Sequence, residues 1–281
     1  QGTTNIDNCV NLASAVLWGD GVSSTNYELG GIAGGPSGAT TQITNCKNYG
    51  LIKQTKVSSA TVSVGGIVGY SYSVGLVDKC ENHGSFEIAG TTGSLFAGGI
   101  VGYLRQTTKS SDTNVINSVN YANLTFTGKA KSYCGGGVVG YAVTDDNNKA
   151  TLVMNNLYNF GNLTYTCTYT TPYFGGLVGL WKRAVIRNSK SYCNFSANGA
   201  AVGWVSGSAR AAEAYSVDCA IGGGHLVYDP TDDRYKPETI PSDSYYNYIY
   251  STGANTDWTG TTNYDGCTYL PSKPAVTYIE L

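Results

Sequence analysis

Cysteine, histidine and the carboxylates are the residues of this 281-residue chain that could do covalent or metal chemistry, and their spacing argues against most of it. There are eight cysteines and two histidines, His83 and His225. A closed zinc site needs four Cys or His ligands in close pairs, and the chain has neither a Cys-x-x-Cys nor a His-Glu-x-x-His. Glycoside hydrolysis needs two convergent carboxylates. The candidates are Asp145 and Asp146, and Asp229, Asp232 and Asp233 with Arg234. The first set reads as a solvated loop and the second as a turn among prolines. Neither set recurs along the chain, as a groove on one face of a repetitive scaffold would favour. No spaced Asp loop with its Gly suggests calcium, and neither histidine sits in a context that suggests a nucleophilic triad. The expectation is no enzyme, no cofactor and no metal.

Recognition by aromatic rings is the other chemistry on offer. Two sets compete. Tyr70, Tyr103 and Tyr141, followed by Leu180 and Trp204, form a regular column, which suits packing more than a site. Tyr245, Tyr246, Tyr248, Tyr250, Trp258 and Tyr264 form an irregular set near the C-terminus, with Asp257 and Asp265 among them. Rings with a polar tip pack against sugar faces or protein partners at low entropic cost. The irregular set has no stacking role to explain it, so it is the expected binding site. Trp181, Lys182, Arg183, Arg187 and Lys190 read as a solvated strand face. Asn123, Asn162 and Asn194 fit the glycosylation pattern but recur with the repeat and are structural first.

The elements that would position these residues are repeats. Six segments share a glycine signature: Gly30–Gly34, Gly65–Gly69, Gly98–Gly102, Gly136–Gly140, Gly175–Gly179 and a degraded Gly199–Gly203. Before each stands a second signature, of which Asn8-Cys9-Val10-Asn11, Asn45-Cys46-Lys47-Asn48 and Lys79-Cys80-Glu81-Asn82 are the first three. Aligning on it gives two apolar columns. One is Ile6, Ile43, Val77, Val115, Met154 and Ile186, and the other is Ala15, Ile52, Phe86, Leu124, Leu163 and Phe195.

β-Branched and aromatic enrichment between Gly and Asn punctuation predicts three short strands per unit. Units of about 36 residues that cannot bury a face alone suit stacked coils. The expected fold is all-β, a right-handed parallel β-helix of about six coils, near 29 Å long at ~4.8 Å per coil. A six-bladed propeller is the competing fold, but the units are short for four-stranded blades. Asn11, Asn48, Asn82, Asn120 and Asn159 should form a bend ladder, with αL geometry and amides bonded from coil to coil. Residues such as Lys47 and Glu81 mark the outward side, so period two turns Cys46, Cys80 and Ser118 inward. Cys9, Cys46 and Cys80 are therefore expected as stacked free thiols. The pairing of Cys134, Cys167, Cys193, Cys219 and Cys267 stays open.

The glycine string with its preceding Asn-Cys-x-Asn resembles the GLUG repeat of bacterial cell-surface, adhesin-like proteins, above all those of gut Bacteroidetes. The resemblance covers roughly residues 5 to 224. It implies a secreted or surface-anchored adhesin-like protein at the outer-membrane exterior, with a glycan or a host or matrix protein as partner. Any lipid anchor would precede Gln1. A β-helix polysaccharide lyase or hydrolase, and a structural stalk for another domain, are the alternatives.

Composition agrees. Charged residues are 13%, against about 25% in an average soluble domain. A formal net charge of -2 with no clustered basic face argues against nucleic acid. No apolar run approaches the ~18 residues of a membrane-spanning helix. Five of the seven prolines lie beyond residue 222. Residues 1–224 read as the repeat β-helix and 225–281 as a C-terminal cap or small subdomain, since solenoids need a cover on the last coil.

Overall fold

The computed structural model describes residues 4–19, 26–91, 93–107, 113–126, 130, 132–145, 152–165, 172–182, 184–187, 189–191, 195–197, 201–203, 206–210, 215–217, 226–229, 234–237 and 250–251, with the side chains of most of those up to Ser191. Every regular element among them is a strand. The chain is a β-solenoid. Each turn lays its strands parallel to, and in register with, those of the turns before and after it. Parallel stacking excludes a propeller.

A turn holds five short strands, where the sequence suggests three. In the turn from Gln42 they are Gln42–Thr44, Lys47–Asn48, Leu51–Gln54, Val62–Gly65 and Val68–Tyr72. The Asn-Cys bend splits the first expected strand and the glycine motif splits the last. Four successive turns (42–72, 76–106, 113–144 and 152–182) carry all five strands with side chains largely described. About four complete, described turns thus stand against the six units of the sequence reading, a small difference. A less complete turn precedes them and a turn described mainly by its backbone follows.

The register makes the first apolar column a row of the core. Ile43, Val77, Val115, Met154 and Ile186 align and are fully buried. In the second column Leu17, not Ala15, pairs with Ile52. The degraded glycine unit also shifts: Gly203 pairs with Gly175 and Ser206 with Val178, so the motif equivalent begins at Gly203 rather than Gly199. Ser208 rather than Trp204 then continues the column of Leu180.

The asparagines divide the work. The left-handed bend falls on the first Asn of each signature, with φ of 54° at Asn8, Asn45 and Asn156, 48° at Asn117 and 52° at Lys79 in the same place. The second Asn does not take the left-handed bend expected of it, but it does form the expected amide ladder. Asn11 Nδ2 donates to Asn48 Oδ1 at 2.7 Å, Asn48 to Asn82 and Asn82 to Asn120 at 2.9 Å, and Asn120 to Asn159 at 2.8 Å. Each amide also grips its own turn: Asn82 Nδ2 donates to Gly84 O and Gly84 N donates back to Asn82 Oδ1.

The glycine motif faces this ladder. A Cβ on Gly31 would stand 2.6 Å from Asn48 Cγ, and one on Gly66, Gly99 or Gly137 would collide with Asn82, Asn120 or Asn159. The two recurring signatures are thus contact partners across the inside of the solenoid. These glycines are needed for close approach rather than for positive φ.

Candidate functional site

The third strands of successive turns do not form one continuous sheet. Val16–Gly19, Leu51–Gln54 and Phe86–Ile88 make one three-stranded sheet, and Leu124–Phe126, Leu163–Tyr165 and Phe195–Ala197 make another. Between Phe86–Ile88 and Leu124–Phe126 lies a seam. A recess of about 380 Å3 opens there, lined by Lys53, Gln54, Thr55, Phe86–Ala89 and Thr125. That volume is within the range of small-ligand sites.

Alternation along these strands sets what the face presents. Ile52, Phe86 and Leu124 point into the core, and Trp18, Lys53, Glu87 and Thr125 point out. Trp18 is 60% exposed. Its Nε1 donates to Thr55 Oγ1 at 3.4 Å, and Lys53 Nζ lies 6.0 Å from the ring centroid. Lys53 Nζ also donates to Glu87 Oε2 at 2.6 Å. Gln54 is buried and clamps the Gly90 backbone, donating to its carbonyl and accepting from its N–H, which fixes the floor. An exposed indole, an ion pair and a polar-lipped recess on one face suit a ligand with both apolar faces and hydroxyls.

Two aromatic ladders run up other faces. Tyr70, Tyr103 and Tyr141 stack at 4.8 and 5.1 Å, with Phe96 against the last two. Burial pushes the Tyr103 phenol well above its ordinary pKa. Arg105 bonds Tyr70, lies 5.8 Å from the Tyr72 ring and holds Asp145 through two donors at 3.2 and 3.1 Å. The second ladder is Tyr49, His83, Tyr121 and Phe160, at 4.6, 4.7 and 5.4 Å. His83 shares a 3.0 Å hydrogen bond with Glu81, which also pairs with Lys47. In both ladders neighbouring turns cover the ring faces, leaving mainly edges for a partner. They are packing devices, as the regular spacing of the first suggests.

Of the residues singled out in the sequence as the binding set, only Tyr250 is described. Its strand, Tyr250–Ser251, pairs antiparallel with Ala201–Gly203. Tyr245, Tyr246, Tyr248, Asp257, Trp258, Tyr264 and Asp265 lie outside the described residues, as do Asp146, Asp232, Asp233 and His225. Asp145 is engaged by Arg105, and Trp181, read as part of a solvated basic face, is a core residue at 1% exposure. Among the described residues no group of three or more His, Cys, Asp or Glu could hold a metal ion.

Trp18 drew no notice in the sequence. The signal was the outward column it heads, where Lys53 and Glu87 place opposite charges one turn apart.

The thiol column is present. Cys46 and Cys80 are fully buried and in no disulfide; Cys134 is also buried and in no disulfide. Cys9 is free but exposed, not a core thiol, because it sits on the first described turn. Each column sulfur donates to the carbonyl two residues back: Cys9 to Asp7, Cys46 to Thr44 and Cys80 to Asp78. Ser118 does the same to Ile116 at 2.7 Å, which explains why Ser and Cys interchange here. The residue outside this column is not uniformly exposed: Val119 and Tyr158 pack with Phe160 in a small cluster apart from the main core.

Comparison with family models, with curated proteins and with solved structures gives no match.

Proposed function

We propose that this chain is a secreted or surface-anchored adhesin-like binding protein that engages a glycan or a host or matrix protein through the face carrying Trp18 and the seam recess. The observation that carries the reading is the 60% exposed indole beside the Lys53–Glu87 pair. Burying a Trp side chain against a partner yields more free energy than burying most other residues, which is why Trp recurs among binding hot spots. The resemblance of the repeats to the GLUG signature supports the surface location and the adhesin role. No catalytic step is assigned.

Glycan-array and matrix-protein binding by the intact chain, by Trp18→Ala and by Trp258→Ala with Tyr264→Ala tests it. Trp18→Ala removes an outward side chain and should fold normally. It is expected to weaken binding about tenfold or more, roughly 1.4 kcal/mol. Unchanged binding by Trp18→Ala would remove this face as the site. Loss only in the doubly substituted chain would move the site to the C-terminal aromatic set.

A further inference from the structure

The thiol column has a chemical asymmetry that the binding role leaves unused. Asp7 pairs with Thr44 and Val10 with Lys47, so Cys9 stands opposite Cys46 on the adjacent turn. Neighbouring strands put opposed Cα atoms about 4.8 Å apart, inside the ~4.4–6.8 Å window of a disulfide. The Cys9 and Cys46 side chains lie close enough to shift each other's ionisation, as do those of Cys46 and Cys80. Cys9 is open to solvent while Cys46 and Cys80 have no exposed surface. Among the described thiols of the column only Cys9 is open to a reagent, and the register sets a second free thiol, Cys46, opposite it.

We propose that Cys9 and Cys46 form a thiol–disulfide exchange site for low-molecular-weight disulfides, with Cys9 taking the incoming sulfur and Cys46 resolving it. In the first step the Cys9 thiolate attacks the reagent disulfide. A Cys9–S–S–R bond forms, the reagent S–S bond breaks, and one RS⁻ leaves with the Cys9 proton. In the second step the Cys46 thiolate attacks the Cys9 sulfur. The Cys9–Cys46 bond forms, the mixed disulfide breaks, and the second RS⁻ leaves with the Cys46 proton. The balance is two protein thiols and one RSSR giving one protein disulfide and two RSH. Cys46 is suited to the resolving role. Its pKa is lowered to about 6, chiefly by its interaction with Cys80, with burial opposing, while Cys80 is raised by that interaction and by burial and Cys9 is raised chiefly by burial, so exchange quickens as pH rises. The product is a covalent staple between the first two described turns.

The test treats the folded full chain with oxidised glutathione, removes the reagent, denatures the chain in an alkylating agent to block the remaining thiols, and maps chymotryptic peptides. Trp18 and Tyr27 lie between the two cysteines, so cleavage after aromatic residues separates them. Wild type should lose the free thiols of Cys9 and Cys46 together and yield their cross-linked peptides. Cys46→Ser should stop with glutathione on Cys9, Cys9→Ser should leave Cys46 alkylatable, and Cys80→Ser should still close the Cys9–Cys46 bond. Serine already fills this column at Ser118 and Ser189, so these variants should fold, and circular dichroism checks that they do. Wild type that keeps both thiols, that retains glutathione on Cys9 as Cys46→Ser does, or that links Cys46 to Cys80 instead would overturn the proposal.

Discussion

At the scale of single residues, the buried amides of the Asn ladder make the sharpest demand. Asn82 is fully buried, accepts from Asn48, donates to Asn120 and Gly84, and accepts from the Gly84 N–H. Asn82→Ala strands a donor on Asn48 and an acceptor on Asn120 in a dry interior. The expected cost is about 3 kcal/mol or more, read as a drop in the chemical-denaturation midpoint. Glu28 offers a pH-dependent check of opposite character. Burial raises its pKa, so the folded state binds that proton more tightly than the unfolded chain does. Stability from this group is therefore present at low pH and lost as pH rises through the folded pKa. Glu28→Gln should melt at or above the wild-type temperature at pH 7, with the gain vanishing once the wild-type carboxyl is protonated. A gain that grows towards low pH would contradict this sign.

At the scale of elements, the pairing of the glycine strand with the Asn ladder sets the cross-section. In Gly66→Ala the added methyl meets both the Asn82 side chain and the Gly99 carbonyl. It should cost about 3 kcal/mol, and Asn82→Ala should not rescue it, because the carbonyl of the next turn stays. Full rescue in the double variant, measured as a non-additive unfolding free energy, would show that the side chain alone fills the space.

The columns behind these contacts were legible in the sequence because stacking puts one residue of every unit in one environment. Ile43, Val77 and Val115 had to be alike, as did Cys46, Cys80 and Ser118. The αL bend at the first Asn was not legible, since Asn at either place tolerates that geometry and only the backbone trace separates them. The shift of the last glycine unit escaped because Gly203 fits both alignments. The seam in the third sheet is not legible because Phe86 and Leu124 continue one apolar column and their types do not mark a break in the pairing. Trp18, on the far edge of that three-stranded sheet from the seam, belongs to no repeated aromatic column and so is not marked in the sequence, while the C-terminal aromatic set stands out by its irregularity alone.

At the scale of the whole molecule, the solenoid is a sum of turns that each meet only their neighbours. Leu76 pairs with Asn114 and Val77 with Val115, so joining Leu76 directly to Val115 restores every column in register. Removing residues 77–114 takes out one whole turn, including Phe86 and Glu87 of the recess, and sets the sheet of Leu124 against that of Ile52. Removing 77–96 cuts a turn part-way and faces core positions with outward ones. The most direct measurement is thermal unfolding of these two shortened chains, followed by far-ultraviolet circular dichroism. The chain lacking 77–114 should keep a β spectrum and one cooperative transition, and the chain lacking 77–96 should show neither. Equal behaviour of the two, whether both folded or both unfolded, would contradict the stacked-turn architecture on which the binding face and the thiol column both depend.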